Sequence, residues 1–404
     1  MTKIIADEKL IDEFLERGVE AIYPSKEAFR KKLMSGERLK IYEGFDPTGP
    51  HLHVGHAMGI RALGILQKLG HEVIFLVGDY TAKVGDPDKD TTRKMLTDEE
   101  IENNMSSWKK QAGQLIDFDG KNPVRFERNY KWLSKLKLND LIQLMSNITV
   151  QRMLERDMFE RRIKEGDPIR LHEFIYPLMQ GYDGVAMEVD MEIGGTDQTF
   201  NMLVGRDLIK SYLGKEKFVR TNKMMDAPDG RTMSKTKGNG INLADSPEDM
   251  FGKAMSYSDE HILSGFELLT DVSMEEIEKM KLAMEKGENP MIFKKKMAYE
   301  IVKIIKGEKA AEVAQKHFEQ VISKKELPMD ISEIKVFIGE LLIDVLVKNE
   351  LASSKADARR KIDQGGVKID NEAIYDWQLK LDENYSEKII KVGKREFRRI
   401  KITK

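Results

Sequence analysis

The sequence predicts an α/β fold, a Rossmann-like doubly wound parallel sheet with a helical insertion, followed by an α-helical domain and a small α+β domain. Two junctions in which a strand passes through a glycine turn into a helix predict the sheet, at residues 39–69 and 186–209. A nearly continuous apolar run at 71–80 is typical of a buried parallel strand. With the first junction it forms a strand, helix, strand unit, which in such sheets is right-handed.

Composition excludes several classes of protein. The chain has 404 residues, of which 40% are hydrophobic, with a net charge of −2 and no cysteine. This apolar content can fill more than one core, and neither disulfides nor cysteine-based zinc sites can form. There is no run of 18 apolar residues, and the first residues lack the basic and apolar regions of a signal peptide. We therefore expect a cytoplasmic protein without a membrane partner.

Residues 1–38 are predicted to form amphipathic helices that cover the sheet edge. The first predicted strand, 39–45, leads into a helix whose start carries three of the seven histidines, His51, His53 and His56. A helix N-terminus offers unpaired N–H groups and a partial positive charge, which predicts an anion site. The alternatives are a metal site, disfavoured because the run has no cysteine or carboxylate, and histidines with only local hydrogen bonds.

Gly55, between the last two of these histidines, favours the anion site. A glycine in a helical turn is costly, and its presence is explained if a flat group must approach the backbone there.

The loop after the apolar strand should lie at the carboxyl end of the sheet, where such sheets bind ligands. It carries the candidate site residues Asp86, Lys89 and Arg93, and the alternative is a surface loop stabilised by Asp-Pro turn chemistry. Farther along, three polar residues share one face of a predicted helix at i, i+4 and i+7, where an amphipathic helix would place apolar side chains. They are Tyr176, Gln180 and Asp183. This face is either solvated or the lining of a polar pocket.

At the second junction, Asp197 is placed to accept hydrogen bonds from ribose hydroxyls. The glycine-rich, cationic stretch 229–240 has no apolar period and predicts a mobile loop that could clamp phosphates, or an ordinary basic linker. Residues 246–326 have a helical, charged pattern. Residues 94–185 are also mostly helical in pattern and interrupt the sheet.

The last part of the chain predicts an RNA-binding module. Two short helices are expected at 341–348 and 353–364, and a glycine turn leads from the second into a strand. Basic side chains of the second helix and the strand are the candidate RNA contacts: Lys355, Arg359, Arg360, Lys361 and Lys368. From 385 to 404 there are eight Lys or Arg against two Glu, although a solvated lysine-rich terminus would show the same charge.

Taken together, these motifs resemble a bacterial tyrosyl-tRNA synthetase, a class I aminoacyl-tRNA synthetase. His53-Val54-Gly55-His56 is similar to the HIGH signature of that class, and Thr232-Met233-Ser234-Lys235-Thr236, about 180 residues later, to its KMSKS signature. The resemblance implies four parts. They are a catalytic domain at 1–225 with a helical insertion at about 113–170, a KMSKS-type mobile loop at 226–245, an α-helical anticodon-side domain at 246–326, and a ribosomal-protein-like RNA-binding domain at 338–404.

The resemblance also implies the roles of individual residues. The tyrosine site would comprise Tyr42 and Asp183 for the phenol, Asp86, Tyr176 and Gln180 for the ammonium, and Gln198 for the carboxylate. ATP would be bound by Asp46, Thr48, Gly55, Gly195, Asp197 and Lys235. The catalytic contacts to the phosphates would come from His53, His56, Lys89, Arg93, Lys235 and Thr236.

The implied reaction is the ATP-dependent activation of L-tyrosine to tyrosyl-adenylate and pyrophosphate, then transfer of the tyrosyl group to the terminal adenosine of tRNA(Tyr). ATP is the substrate, Mg²⁺ accompanies its phosphates, and no protein metal site is expected. A homodimer is expected through the insertion at 130–170. Two alternatives stay open. A tryptophan-activating relative is disfavoured by Tyr42 with Asp183, and a silent RNA-binding paralogue is conceivable because Thr232 replaces the first KMSKS lysine, with Arg231 next to it as a substitute.

Overall fold

The computed structural model describes residues 3–86, 95–228, 233, 240–320, 332–370, 372–393 and 396–403. The chain divides into two compact units, Met1–Ala311 and Glu312–Lys404. The further division of the first unit at 225 and 246 stays a prediction.

A six-stranded sheet forms the centre of the first unit. Its strands are β1 (Val19–Tyr23), β2 (Lys40–Phe45), β3 (Glu72–Val77), β4 (Arg125–Arg128), β5 (Met191–Gly195) and β6 (Phe218–Asn222). They lie in the order β1-β6-β5-β2-β3-β4. All neighbours pair in parallel except β1, which is antiparallel to β6.

Helices precede, connect and follow these strands. The described α-helices that begin in this unit are α1 (Glu8–Glu16), α2 (Lys26–Leu33), α3 (Val54–Lys68), α4 (Thr81–Val84), α5 (Asp98–Met105), α6 (Trp108–Ala112), α7 (Tyr130–Leu133), α8 (Leu138–Met145), α9 (Val150–Leu154), α10 (Asp157–Glu165), α11 (Tyr176–Met187), α12 (Thr199–Leu213), α13 (Pro247–Ala254), α14 (Ile262–Leu269), α15 (Met274–Glu285), α16 (Pro290–Lys306) and α17 (Glu308–Phe318).

The strand order reverses between β2 and β5. From β2 the chain continues to β3 and β4 on one side, whereas β5 and β6 lie on the other. The carboxyl ends of β2 and β5 therefore form a topological switch point, the place where open α/β sheets bind ligands. α3 follows β2 and α12 follows β5, so both predicted strand-to-helix junctions, and the doubly wound sheet, are confirmed.

The apolar pattern explains why these segments form the core. Five of the six residues of β3, Glu-Val-Ile-Phe-Leu-Val, are buried, as expected for a strand covered on both faces. On α3, Ile60, Leu63 and Leu66 recur at helical spacing and are fully buried. Side-chain caps mark several helix starts. Thr97 and Glu100 form a reciprocal capping box at α5, with hydrogen bonds of 3.2 and 2.7 Å.

Three strands were not predicted. β1 lies within the segment predicted to be helical, and it forms the sheet edge by pairing with β6, which was also missed. β4 lies within the predicted insertion and reads Arg-Phe-Glu-Arg, a polar edge strand without an apolar run. The strand predicted from 186 was placed too early, because α11 continues to Met187 and β5 begins at Met191.

The second unit is a small α+β domain. Its described elements are β7 (Glu333–Phe337), β8 (Glu340–Leu341), α18 (Leu342–Lys348), α19 (Lys355–Asp363), β9 (Val367–Ile369), β10 (Glu372–Ala373), β11 (Lys380–Leu381), β12 (Ile389–Val392) and β13 (Glu396–Thr403). Five strands form a sheet in the order β10-β9-β12-β13-β7. Both predicted helices and the strand after the glycine turn are present. Among the described helices of the chain, none has the length and hydropathy of a membrane span.

Candidate active site

The histidine segment lies at the start of α3, beyond the carboxyl end of β2. His53 is the N-cap of this helix and is buried, whereas His51 precedes the helix and is exposed. The backbone N–H of His53 donates to Nδ1 of His56 at 3.0 Å, and the two ring centroids are 3.7 Å apart. Because Nδ1 of His56 accepts this bond, the neutral ring carries its proton on Nε2.

The chain around the second signature packs against the first. The N–H of Val54 donates to the carbonyl of Ile241 at 2.9 Å, and the N–H of Leu243 to that of Leu52 at 2.7 Å. Met233 is buried, and a β-carbon at Gly55 would lie 3.8 Å from its Cε. The two signatures therefore meet in space at Met233 and Gly55. Lys235 and Thr236, with Arg231 and Thr232, lie outside the described residues.

Asp86 reaches the site from the loop after β3. Its Oδ1 pairs with Nη2 of Arg156 at 2.7 Å, and its Oδ2 accepts from Nε2 of Gln198 at 2.7 Å. The Arg156 side chain is 6% exposed and that of Asp86 12%, so this ion pair is shielded from solvent. Lys89 and Arg93, predicted on the same loop, lie outside the described residues.

A hydrogen-bonded chain of amides continues from Gln198 into the sheet. Nδ2 of Asn201 donates to Oε1 of both Gln198 and Gln180, each at 3.0 Å. Nε2 of Gln180 then donates to Oε1 of Glu192 at 3.0 Å, and Glu192 forms an ion pair with Lys217. The polar helix face found in the sequence is thus largely buried in a hydrogen-bonded network and is not a solvated surface.

Tyr176, the first residue of that face, donates its hydroxyl to Oδ2 of Asp46 at 2.9 Å. Oδ1 of Asp46 accepts from the Thr81 hydroxyl at 2.7 Å. A β-carbon at Gly78 would collide with Asp46, so this glycine permits the close approach of the carboxylate to the turn after β3. The backbone carbonyl of Asp46 accepts from the N–H of Thr48 at 2.8 Å.

Asp183, the last residue of the face, is 3% exposed and lies between two neutral donors. Nε1 of Trp132 donates to its Oδ1 at 2.7 Å, and Nδ2 of Asn129 to its Oδ2 at 3.1 Å. Burial raises the pKa of Asp183 well above its ordinary value, while the hydrogen bonds from Asn129 and Trp132 oppose that change.

Tyr42, on β2, is also buried, and its hydroxyl lies 3.5 Å from the carbonyl of Gln180. Burial, followed by the nearby charges of Glu192 and Asp183, raises the pKa of Tyr42 well above its ordinary value. Its hydroxyl is therefore protonated at neutral pH. Tyr42 belongs to a cluster of buried apolar residues, and it interacts electrostatically with the neighbouring Asp183.

Gly195 and Asp197 lie where β5 ends and a short 3-10 helix, Thr196–Gln198, begins. Asp197 is exposed, and its Oδ2 accepts from Nε2 of Gln198 at 3.0 Å. Both residues are at the carboxyl edge of the sheet, beside the switch point.

Sequence reasoning missed the partners that hold the predicted residues in place. They are Asn129, Trp132, Arg156, Glu192, Asn201 and Lys217. One of them had a detectable signal, because Glu192 stands between Met191 and Ile193 in a strand of the central sheet. An acidic residue in such a strand needs a buried partner. The others are identified only by tertiary contacts.

In the second unit, the predicted RNA-binding cations lie on α19 and β9. Arg359 and Arg360 are exposed, and the Arg359 guanidinium lies 4.5 Å from the ring centre of Trp377. Lys361 and Arg360 both pair with Asp357, at 3.0 and 2.6 Å, and Lys355 pairs with Asp344 at 2.7 Å.

Across the part of the chain that the structure describes, no group of three or more His, Asp or Glu side chains is arranged to hold a metal ion. The three histidines of the first signature are included in that range, so they do not form a metal cluster with any described acidic side chain.

Comparison with known proteins agrees with this architecture. The family described as tRNA synthetases class I (W and Y) matches residues 34–323, and the one described as the tyrosine–tRNA ligase SYY-like C-terminal domain matches residues 324–400. The tyrosine–tRNA ligase of Thermotoga maritima is 42% identical over 93% of this chain and 94% of its own. That of Carboxydothermus hydrogenoformans is 42% identical over 96% of this chain and 97% of its own.

Solved structures show the same fold. A C-terminally truncated mitochondrial tyrosyl-tRNA synthetase of Aspergillus nidulans superposes with a TM-score of 0.66 at 23% identity, covering 78% of this chain and 94% of that one. The tyrosyl-tRNA synthetase of Archaeoglobus fulgidus complexed with L-tyrosine gives 0.59 at 22% identity, covering 77% and 100%. The chain therefore belongs to the tyrosine–tRNA ligase family of class I tRNA synthetases, enzymes that activate L-tyrosine with ATP and transfer the tyrosyl group to tRNA(Tyr).

Proposed function

We propose that tyrosine activation takes place at the switch point between β2 and β5, with the substrate amino acid held by the polar face of α11. The observation that carries this proposal is the convergence of Tyr42, Gln180, Asp183 and Gln198, from distant parts of the sequence, in one partly buried polar region. A pocket with a few convergent polar groups at a switch point is the usual site of a small ligand in such a fold.

Tyr42 and Asp183 would bind the substrate phenol. Trp132 and Asn129 hold the Asp183 carboxylate by one donor on each oxygen, which fixes its orientation before substrate arrives. A bound phenol donates its proton to a remaining lone pair of that carboxylate. Phenylalanine has no hydroxyl to donate. Its binding would displace water from these buried polar groups without giving them a new hydrogen-bond partner.

Asp86, Tyr176 and Gln180 would hold the substrate ammonium, and Gln198 would orient its carboxylate. Asp86 already has one partner on each oxygen, Arg156 and Gln198, and a carboxylate has about four lone-pair positions, so an ammonium group can bind as a third partner. The same Gln198 would therefore connect the ammonium site to the reacting carboxylate.

ATP would bind against the start of α3. Asp46, Gly195 and Asp197 would contact the ribose, Thr48 would be a further ATP contact, and Gly55 would admit the adenine. The Nε2–H of His56 is a suitable donor for a phosphate oxygen, and His53 lies beside it. Lys89, Arg93, Lys235 and Thr236 are proposed phosphate contacts on the basis of the family pattern.

The two chemical steps need no protein nucleophile. The tyrosine carboxylate attacks the α-phosphate, a new P–O bond forms, and pyrophosphate leaves with the electrons of the broken P–O bond. A hydroxyl of the terminal adenosine then attacks the carbonyl of the adenylate and AMP leaves. Catalysis is by positioning and by stabilising charge on the phosphates.

Mg²⁺ would be carried by the phosphates of ATP, neutralising their charge. Mg²⁺ is commonly bound by substrate phosphates with only one or two protein carboxylates. The tRNA would contact the exposed cations of α19 and the strand after it, with phosphate contacts that weaken as salt is raised. A chain without cysteine also suits the reducing cytoplasm.

A homodimer is proposed through the helical insertion. Six large hydrophobic side chains from 130 to 170 are strongly exposed, and exposed apolar area in this segment supports an interaction surface. They are Tyr130, Leu138, Ile142, Met145, Val150 and Ile163. Analytical ultracentrifugation should give twice the chain mass for the natural protein and one chain mass for Leu138→Lys with Ile142→Lys. A monomeric natural protein would contradict the proposed dimer.

ATP–pyrophosphate exchange with tyrosine, tryptophan and phenylalanine tests the site. We expect exchange only with tyrosine, and we expect Gln180→Ala to raise the KM for tyrosine while the KM for ATP is unchanged. An unchanged KM for tyrosine in that variant would refute the proposed amino-acid pocket. Exchange with tryptophan at the rate seen with tyrosine would refute the phenol assignment.

A further inference from the structure

Two opposite charges are buried beneath the proposed tyrosine pocket. Glu192, on β5, is 2% exposed, and Lys217, just before β6, is fully buried. The two side chains form an ion pair. A buried ion pair is no more stabilising than two apolar side chains of similar volume, because each charge loses its water. Stability alone therefore does not explain why the chain carries this pair.

The pair contacts two residues assigned to the pocket. Oε1 of Glu192 accepts from Nε2 of Gln180 at 3.0 Å. Glu192 is also the direct register neighbour of Tyr42 across the parallel strands β5 and β2, so both side chains point to the same face of the sheet. The charge of Glu192 contributes, after burial, to the raised pKa of Tyr42.

A carboxylate fixes which way the Gln180 amide points. An ionised carboxylate only accepts hydrogen bonds, so the NH₂ group must face Glu192 and the amide oxygen must face away. That oxygen accepts from Asn201 at 3.0 Å and keeps a second lone pair. With this orientation, Gln180 offers an acceptor to a substrate ammonium. With the amide reversed, it would offer a donor.

Glycines on α11 and α12 leave space for the side chain of Lys217. A β-carbon at Gly205 on α12 would lie 2.6 Å from Nζ of Lys217 and 3.1 Å from Cα of Gly181 on α11. Two facing glycines let α11 and α12 approach closely and leave room for the ammonium group under the pocket. Lys217 in turn holds the Glu192 carboxylate in place through the ion pair.

We propose that the Glu192–Lys217 pair is a positioning element of the tyrosine pocket: it fixes the Gln180 amide with its oxygen toward the substrate ammonium and sets an acceptor beside the Tyr42 hydroxyl. The inference rests on the proposed role of Gln180 and Tyr42 in binding tyrosine. Neither Glu192 nor Lys217 touches substrate in this scheme.

The test replaces both charges by apolar residues of similar volume, Glu192→Met with Lys217→Met. We expect the melting temperature to be unchanged or higher, since buried pairs are commonly replaced in this way without loss. The KM for tyrosine in ATP–pyrophosphate exchange should rise by about 10- to 100-fold, the scale of losing a hydrogen bond to a charged group. The KM for ATP should be unchanged. Glu192→Gln with Lys217→Met retains an acceptor for Gln180 and should recover part of the lost affinity.

Lys215→Met is the matched control. Lys215 pairs with Asp190 at 2.9 Å near the start of the same strands, away from the pocket, and its loss should leave the KM for tyrosine unchanged. If Glu192→Met with Lys217→Met keeps the natural KM for tyrosine, the pair is structural and the inference is wrong. Should that variant not fold, the Glu192→Gln, Lys217→Met protein, which lacks both charges, is compared instead with the natural protein. An equal KM for tyrosine in these two overturns the inference.

Gln180→Ala distinguishes failure of the positioning role of Glu192 and Lys217 from failure of the proposed tyrosine pocket. If it raises the KM for tyrosine and the charge-free variant does not, only the positioning role fails. If Gln180→Ala has no effect either, the proposed pocket itself is wrong.

Discussion

Nε1 of Trp132 donates to Oδ1 of Asp183 at 2.7 Å, which ties α7 to α11 at the phenol end of the proposed pocket. Asp183→Ala removes the acceptor for the substrate hydroxyl and leaves two buried donors unsatisfied. We expect tyrosine-dependent pyrophosphate exchange to fall by at least about 10²-fold, and discrimination between tyrosine and phenylalanine to be lost. Tyrosyl enzymes are themselves the standard case of a pocket that rejects an analogue lacking its hydroxyl.

Trp132→Phe is a milder change at the same site as Asp183→Ala. It keeps the carboxylate and removes one donor, so a smaller rise in the KM for tyrosine, of about 10-fold, is expected. Tyrosine activation at the natural rate in Asp183→Ala would show that the phenol is bound elsewhere.

Lys235 is the residue of the second signature expected to stabilise charge on the phosphates. Lys235→Ala should slow adenylate formation by about 10²- to 10³-fold, the scale of losing one contact made in the transition state. Tyrosine affinity, measured separately by equilibrium binding, should change little, because Lys235 is expected to contact the phosphates of ATP and not the bound tyrosine. Single-turnover adenylation at the natural rate would remove Lys235 from the mechanism.

The strand-to-helix junctions and the polar face of α11 could be predicted because each is recorded in local sequence. Glycine turns, the apolar period of α3 and the i, i+4, i+7 spacing of Tyr176, Gln180 and Asp183 need no knowledge of distant contacts. The resemblance to the class I synthetases added the assignment of those positions to a substrate. The family and its activity were predicted correctly.

The missed features depend on pairing across the chain. β1 has five residues between two amphipathic helices, and its strand conformation is stabilised by hydrogen bonds to β6, about 200 residues later. The partnership of Glu192 with Lys217 likewise spans separate strands. No local pattern distinguishes such a lysine from a solvated one.

Glu43 on β2 directs its buried carboxylate onto the backbone of Gly59 on α3, and a β-carbon at 59 would overlap both carboxylate oxygens. Gly59→Ala should therefore destabilise the protein by about 1 to 3 kcal/mol, the usual cost of overpacking a core. Removing the carboxylate as well, in Glu43→Ala with Gly59→Ala, should relieve the overlap. A double-mutant cycle by urea unfolding is expected to give a coupling of about 0.5 to 3 kcal/mol. Additive effects would mean that Glu43 does not restrict residue 59.

His71, between α3 and β3, should make the stability of the first unit depend on pH. Its side chain is 1% exposed, and Nδ1 accepts the N–H of Leu39 at 3.3 Å, which requires the neutral ring. Burial, assisted by Arg38 and opposed by Asp190, lowers the pKa of His71 to about 4 from an ordinary 6.5.

The folded state disfavours protonation of His71. The contribution of the neutral ring to the free energy of unfolding is therefore fully present above pH 6.5 and is lost as pH falls toward 4. A pKa difference of this size corresponds to about 3 to 4 kcal/mol. His71→Asn keeps an acceptor for Leu39 but does not titrate. As pH falls from 6.5 to 4, the natural protein should therefore lose stability relative to this variant. The exposed His51→Asn is the control and should reproduce the natural pH profile. Parallel urea-unfolding profiles for the natural protein and His71→Asn between pH 7 and 4 would show that His71 is not the titrating group.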